Sequence, residues 1–259
     1  IYVGQWEVLD IGLDSEYLIA EEVEYEIIGK NEVLPLYRPR EKYTHKGSYG
    51  HSLIIGGSYG KVGASILATK AALKIGSGLA TAYMPKCGYT AIQTAVPEAM
   101  VLINSEEYIA DISYKINPNA IGIGVGLDTE KQTVEAFSKF LDKNELPLVV
   151  DADALNILSK NKTLLKKLPE NSILTPHPKE LERLLGKWKG DFDKLKKAKA
   201  FSKKHTCVLV IKGANTIILF NGKGYVNTTG NPGMATAGTG DVLTGVITGL
   251  LAQGYDSLG

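Results

Sequence analysis

A three-layer α/β fold with a mainly parallel central sheet and one hairpin near the C-terminus is predicted by three observations. Short, largely apolar runs recur at Ser52-Leu53-Ile54-Ile55, Leu79-Ala80-Thr81-Ala82-Tyr83-Met84, Ala120-Ile121-Gly122-Ile123, Leu148-Val149-Val150, Ser172-Ile173-Leu174 and Cys207-Val208-Leu209-Val210-Ile211. Runs of that length read as strands buried on both faces. They alternate with segments of helical length, which is the pattern of parallel strands joined by crossover helices. Near the end, the β-rich runs 217–220 and 225–227 flank Asn221-Gly222-Lys223-Gly224, a hairpin turn. A chain of 259 residues, 44% hydrophobic, can bury one large core.

Composition narrows the partners. Lys and Arg number 29 against 28 Asp and Glu, a net charge of +1, so no strong field favours nucleic acid or an anionic membrane. No apolar run reaches the roughly 18 residues of a membrane span. The two cysteines, Cys87 and Cys207, are too few for a disulfide framework and read as buried thiols in a cytoplasmic protein.

In chain order, residues 1–40 differ from the rest and are read as an N-terminal extension or the tail of another domain, with 41–259 as the main domain. Residues 1–13 alternate like a strand, and 16–26 are acidic and irregular. After the 52–55 strand, Gly56-Gly57-Ser58-Tyr59-Gly60-Lys61 opens a helix over 65–76. This is no Walker A loop: the glycine spacing is a residue short, and Val62 stands where Ser or Thr would meet magnesium. Gly122-Ile123-Gly124-Val125-Gly126 closes the next buried strand before an amphipathic helix over 130–143, and it lacks the third glycine of a dinucleotide fingerprint. Asp191 to His205 carries six lysines, a solvated helix face.

The chemistry concentrates at strand ends. Gly238-Thr239-Gly240-Asp241 precedes the apolar helical run 242–252, so low-bulk backbone amides converge at the positive end of the helix dipole, an anion site. Asp241, in the first turn, is kept ionised by the dipole and placed to accept a proton. Asp151-Ala152-Asp153-Ala154-Leu155-Asn156 leaves another strand end. One of Asp151 and Asp153 is expected to face the pocket, and Asp153 can cap a helix over 154–160. His177 stands between Pro176 and Pro178, which fix its backbone, with Pro178 suited to the first helical position. Lys212, at a strand end, can meet phosphate as a point charge or lie exposed. Anion hole and carboxylate base together point to phosphoryl transfer.

The string Asn231-Pro232-Gly233-Met234-Ala235-Thr236-Ala237-Gly238-Thr239-Gly240-Asp241-Val242-Leu243 resembles the signature of the ADP- or ATP-dependent NAD(P)H-hydrate dehydratases, a branch of the ribokinase-like superfamily. His51 to Ala64, Asp151 to Leu155, Thr175 to Glu180 and Lys212 to Thr216 are similar to further motifs of that family, over roughly residues 44–259. The resemblance implies a ribokinase-like fold and repair of hydrated NADH or NADPH, whose hydroxyl is phosphorylated from ADP or ATP and then lost as phosphate. It implies substrate contacts at Ala64, Gly126, His177 and Asp241. It places the nucleotide at Lys212, Gly213, Ala214, Asn215, Thr216 and Gly240. Asp241 would be the base, with Gly238, Thr239 and Gly240 stabilising the transferred group. Mg2+ is implied as cofactor, with no ligand residues assigned, and a homo-oligomer is the expected assembly. Residues 1–30 resemble the end of the epimerase domain of bifunctional members. A ribokinase-like kinase of a thiazole- or pyridoxal-type alcohol shares Gly-Thr-Gly-Asp, and the contexts of His177 and Asn231 to Thr236 separate the two. Asp241 argues against a non-catalytic nucleotide sensor.

Overall fold

A computed structural model describes residues 9–258 of the chain. Most of the 1–13 stretch therefore lies outside the described residues, and 9–13 carry no regular structure. The N-terminal arm carries α1 (Ser15–Ala20), β1 (Tyr25–Ile28) and α2 (Lys30–Val33), where the sequence reads as irregular. Asp14 starts α1 by accepting hydrogen bonds from the amides of Glu16 and Tyr17. There follow β2 (His51–Ile55), α3 (Val62–Ile75), β3 (Leu79–Met84), α4 (Tyr89–Ala95), β4 (Met100–Ile103), β5 (Ala120–Ile123), α5 (Lys131–Leu141), β6 (Leu148–Val150) and α6 (Ala152–Lys160). The chain continues with β7 (Ile173–Leu174), α7 (Pro178–Leu185), α8 (Asp191–His205), β8 (Val208–Ile211), β9 (Thr216–Phe220), β10 (Lys223–Asn227) and α9 (Thr239–Ala252).

The strands form one sheet ordered β1-β10-β9-β8-β7-β6-β5-β2-β3-β4. From β8 to β4 every neighbouring pair is parallel, while β9 runs antiparallel to both β8 and β10. The predicted hairpin is β9–β10, and its turn places Asn221 at φ 47° and Gly222 at φ 86°, both left-handed as a two-residue type I′ turn requires. From β2 the chain moves outward through β3 to β4, then returns to β5 on the other side of β2. The loops after β2 and β5 diverge there, at the position where open α/β sheets form a crevice.

Strand periodicity distributes the core over two faces. Leu53 and Ile55 of β2 belong to one continuous core that also takes in Phe137 of α5, Leu155 of α6, Leu181 of α7 and Phe201 of α8, while Ile54 lies on the other face with Ala68 of α3. On β8, Leu209 and Ile211 join the first layer, and Val208 and Val210 meet Ile247 and Leu251 of α9. The predicted three layers are thus present. Helices α3 and α9 lie unusually close because Gly245 and Gly249 abut α3: a β-carbon on Gly245 would stand 2.0 Å from the Ala68 carbonyl oxygen. Gly122 on β5 likewise makes room for the Thr244 and Thr248 side chains of α9.

Residues 24–40 dock on this body. β1 pairs with β10, Tyr25 packs over Gly224, Lys199 reaches Glu24 at 2.8 Å, and the Arg38 guanidinium donates to the Gly254 carbonyl at 2.8 Å. Cys207 is buried, and burial pushes its thiol up to about 12. Cys87 is exposed, contrary to the sequence reading, because it sits in the loop after β3 beyond the last buried strand residue. Among the described residues no helix is long and apolar enough to cross a membrane.

Candidate active site

Gly238 adopts φ 87°, a left-handed conformation that a side chain would resist, and no side chain caps the first amides of α9. The Thr239 amide makes only a long 3.5 Å contact to the Thr236 carbonyl, so the start of this 14-residue helix can turn its amides to an anion at its positive end. Asp241 lies in the first turn, as read from the sequence. Its acidity departs from that reading. Burial raises its carboxyl above the ordinary aspartate range, the Asp151 charge raises it further, and Lys212 opposes both. The dipole therefore does not decide the balance, and a half-buried carboxylate held above its usual range is a stronger base.

One consequence concerns stability. A carboxyl raised in the folded state favours folding in its neutral form, so the stabilisation present below the unfolded pKa is lost as pH rises through the folded value. Asp241→Asn, which carries no charge, is expected to unfold at a higher temperature than the parent near pH 7. The gap should close as pH approaches the ordinary aspartate value of about 3.9. Thermal midpoints across that range check it, and a parent that is the more stable at neutral pH would refute it.

Next to the α9 amides stands a partly buried ion pair. Lys212, at the end of β8, places Nζ 2.8 Å from Asp151 Oδ1, and Asp151 is 1% exposed. The other carboxylate oxygen, Oδ2, accepts from Thr244 Oγ1 at 3.0 Å. A β-carbon on Gly240 would lie 3.5 Å from Lys212 Nζ and 3.7 Å from Asp151 Oδ2, so both charges stand in contact range of the helix start. Strand β6 stops at Val150, and Asp151, not Asp153, caps α6 by accepting from the Ala152 amide. Where one carboxylate was expected to face the pocket, both lie at the sheet's C-terminal edge, because the chain passes from β6 into α6 at this point.

Asp153 serves the neighbouring crevice. Its Oδ2 accepts from the Asp128 amide at 2.9 Å and lies 3.8 Å from Lys61 Nζ, which also pairs with Asp128 at 3.0 Å. The amide of Thr129 and the Lys61 ammonium hold Asp128 below the usual carboxylate range. Ala64 and Gly126 meet here: a β-carbon on Gly126 would stand 3.1 Å from that of Ala64 and 2.5 Å from the Lys61 carbonyl oxygen. The loops after β2 and β5 are thus joined across the crevice, with Ser58 Oγ donating to the Gly126 carbonyl.

His177 caps α7, its Nδ1 accepting from the amides of Lys179 and Glu180. That leaves Nε2 as the protonated nitrogen, 3.4 Å from Glu180 Oε1. Burial, with Lys212 and Arg183 nearby, lowers its pKa, so it is a neutral donor at pH 7. Its side chain is 44% exposed, enough to touch a ligand as well as cap a helix. Glu180 is buried and raised by that burial, and its Oε2 lies 3.9 Å from Lys212 Nζ. The loop after Lys212 leads outward: Gly213, Ala214 and Asn215 are exposed, Thr216 begins β9, and Gly230 packs against the Ala214 carbonyl. A cavity of about 460 Å³ lies at the opposite edge, lined by Asn119, Pro147, Asn171, Phe220 and Leu251, and contains none of these residues.

Residues 52–259 match the NAD(P)H-hydrate dehydratase family. The chain belongs to that family. It is 38% identical over 263 residues to the bifunctional NAD(P)H-hydrate repair enzyme Nnr of Moorella thermoacetica, an alignment taking in 97% of this chain and 50% of that protein. The chain therefore spans about half the length of this relative. The ADP/ATP-dependent NAD(P)H-hydrate dehydratase of Bacillus subtilis, co-crystallized with ATP and Mg2+, is similar with a TM-score of 0.71 at 32% identity, covering 88% of this chain and 81% of that one. A ribokinase-like superfamily protein of Enterococcus faecalis gives a TM-score of 0.76 at 27% identity, covering 90% and 83%. The ribokinase-like fold expected from the sequence is the fold found.

Several members of the site escape a reading of the sequence. Thr244 sits within an apolar helical run and reads as core. Glu180 completes the capping box of α7, and its burial beside Lys212 is set by the β7–β8 pairing, which no local pattern announces. Arg183, whose Nη1 donates to Asn156 Oδ1 at 2.8 Å, joins α7 to α6 across 27 residues of sequence.

Proposed function

We propose that this chain dehydrates the 6-hydroxy hydrates of NADH and NADPH at the expense of ADP, with ATP as an alternative phosphoryl donor. The observation that carries the reading is the uncapped start of α9, where Asp241, Lys212 and the Gly238–Gly240 backbone converge. In this reading the amides of Thr239 and Gly240 take the transferring phosphoryl group, with Gly238 shaping their approach. Asp241 removes the proton of the substrate hydroxyl, and its raised pKa suits that task. The phosphorylated hydrate then loses phosphate, and the ring double bond is restored. Lys212 adds positive charge at the phosphates, and Gly213, Ala214, Asn215 and Thr216 support the nucleotide. Ala64, Gly126 and His177 line the nicotinamide side.

Among the described residues no trio of His, Cys, Asp and Glu side chains stands at metal-binding spacing. The residues present fit Mg2+ held chiefly by phosphate oxygens and water, as is common for nucleotide-borne magnesium. When bound, that ion would neutralise phosphate charge.

Residues 41–259 form the dehydratase domain in this proposal, and 1–40 an extension or the tail of an epimerase domain. The exposed Leu9, Ile11 and Ile19 support a further covering surface there.

The test follows near-ultraviolet absorbance of reduced nicotinamide in hydrated NADH, magnesium and ADP, with ATP in parallel. Nucleotide-dependent recovery is expected, whereas absence of recovery by folded, nucleotide-binding protein would contradict the proposal and favour the small-alcohol kinase.

A further inference from the structure

We propose that Thr244 is a positioning residue of the phosphate site, its hydroxyl fixing the Asp151 carboxylate that in turn holds the Lys212 ammonium beside the α9 amides. The inference rests on the reading that α9 receives a nucleotide phosphate. Thr244 is fully buried one turn after Gly240. A threonine within a helix ordinarily returns its hydroxyl to the carbonyl four residues back. Here that contact, to the Gly240 carbonyl, is 3.3 Å, while the Asp151 Oδ2 contact is 3.0 Å. One proton serves one strong bond, and the charged, nearer acceptor takes it.

Asp151 is thereby held from three directions. Thr244 engages Oδ2, and Oδ1 accepts from Lys212 Nζ and from the Ala152 amide, each at 2.8 Å. With the residue 1% exposed, solvent does not replace a lost donor. Freed on one side, the carboxylate turns, and the ammonium paired with it moves from the helix start. Lys212 would then meet a phosphate poorly although its own side chain is intact.

The other half of Thr244 does separate work. Its Cγ2 lies 3.3 Å from where a β-carbon on Gly122 would be, in the α9–β5 contact. Two variants divide these duties: Thr244→Val keeps the volume and removes the hydroxyl, and Thr244→Ser does the reverse. A packing role ranks serine as the worse replacement, whereas the positioning role ranks valine as the worse.

The experiment uses the full chain and both variants, at a temperature where thermal scans show all three folded. Calorimetric titration with ADP, and with inorganic pyrophosphate as a second probe, reads the site without turnover; initial rates with hydrated NADH follow. Thr244→Val is expected to bind ADP about tenfold more weakly, the loss of a hydrogen bond to a charged group. Its KM for ADP should rise more than its kcat falls, and Thr244→Ser should stay within about threefold of the parent. Equal binding by the parent and the valine variant, or serine as weak as valine, would overturn the proposal. Tight ADP binding without NADH recovery would sink the dehydratase reading while the variant affinities still judge Thr244. Binding of neither probe by the parent protein overturns both.

Discussion

Replacing Asp241 by asparagine is expected to lower turnover about 10³-fold, within the range that general bases contribute, while ADP affinity stays within about threefold. Asparagine keeps the shape and removes the proton acceptor, so the helix start and the amide cradle persist. The nearest alternative base, Asp151, is engaged by Lys212 and Thr244 and is 1% exposed, so it cannot take over the substrate proton. Single-turnover rates with hydrated NADH and ADP, beside calorimetric ADP binding, separate the two effects. The same variant should be the more stable protein at neutral pH, because burying an ionised Asp241 opposes folding. Loss of activity with gain of stability is the signature of a group kept for chemistry.

The second large effect is on the scaffold. Gly245→Ala should destabilise the fold by about 2 kcal/mol, lowering Tm by roughly 4–8 °C. Intrinsic helix propensity argues the other way, favouring alanine over glycine by about 1 kcal/mol. The contact decides: the added carbon would lie 2.0 Å from the Ala68 carbonyl oxygen and 2.8 Å from the Ala71 β-carbon. Backbone cannot swing aside as a side chain can, so α9 must withdraw from α3. Gly63→Ala is the control, since a β-carbon there meets nothing within 4 Å, and it should be neutral or mildly stabilising. Withdrawal of α9 also carries Asp241 from Lys212, so Gly245→Ala should lose activity beyond its loss of folded protein. Thermal unfolding of the two variants checks the ranking.

The central strands were legible because each is apolar on both faces, which leaves little else for a short run to be. The edge strands β1 and β4 were not, for the converse reason: Ile27, Met100 and Ile103 are largely exposed, so no buried run marks them. The start of α9 was readable from glycine placement, since Gly238 takes a left-handed conformation just before the helix. What the sequence could not order was the traffic between loops. That Asp151 caps α6 while Asp153 crosses to Asp128 depends on the chain turning from β6 straight into α6 after Val150. Partners such as Thr244 and Asp151, 93 residues apart, meet only because α9 packs across β5 and β6.

The most direct measurement counts products in one reaction: AMP, inorganic phosphate and restored NADH from hydrated NADH, ADP and magnesium with the parent protein. Phosphorylation followed by elimination at the α9 start requires equal amounts of all three, formed about 10³-fold more slowly by Asp241→Asn. AMP formed without phosphate or NADH, leaving a stable phosphorylated alcohol, would contradict the account and identify a kinase. NADH restored without AMP would show that the helix start does not transfer phosphate at all.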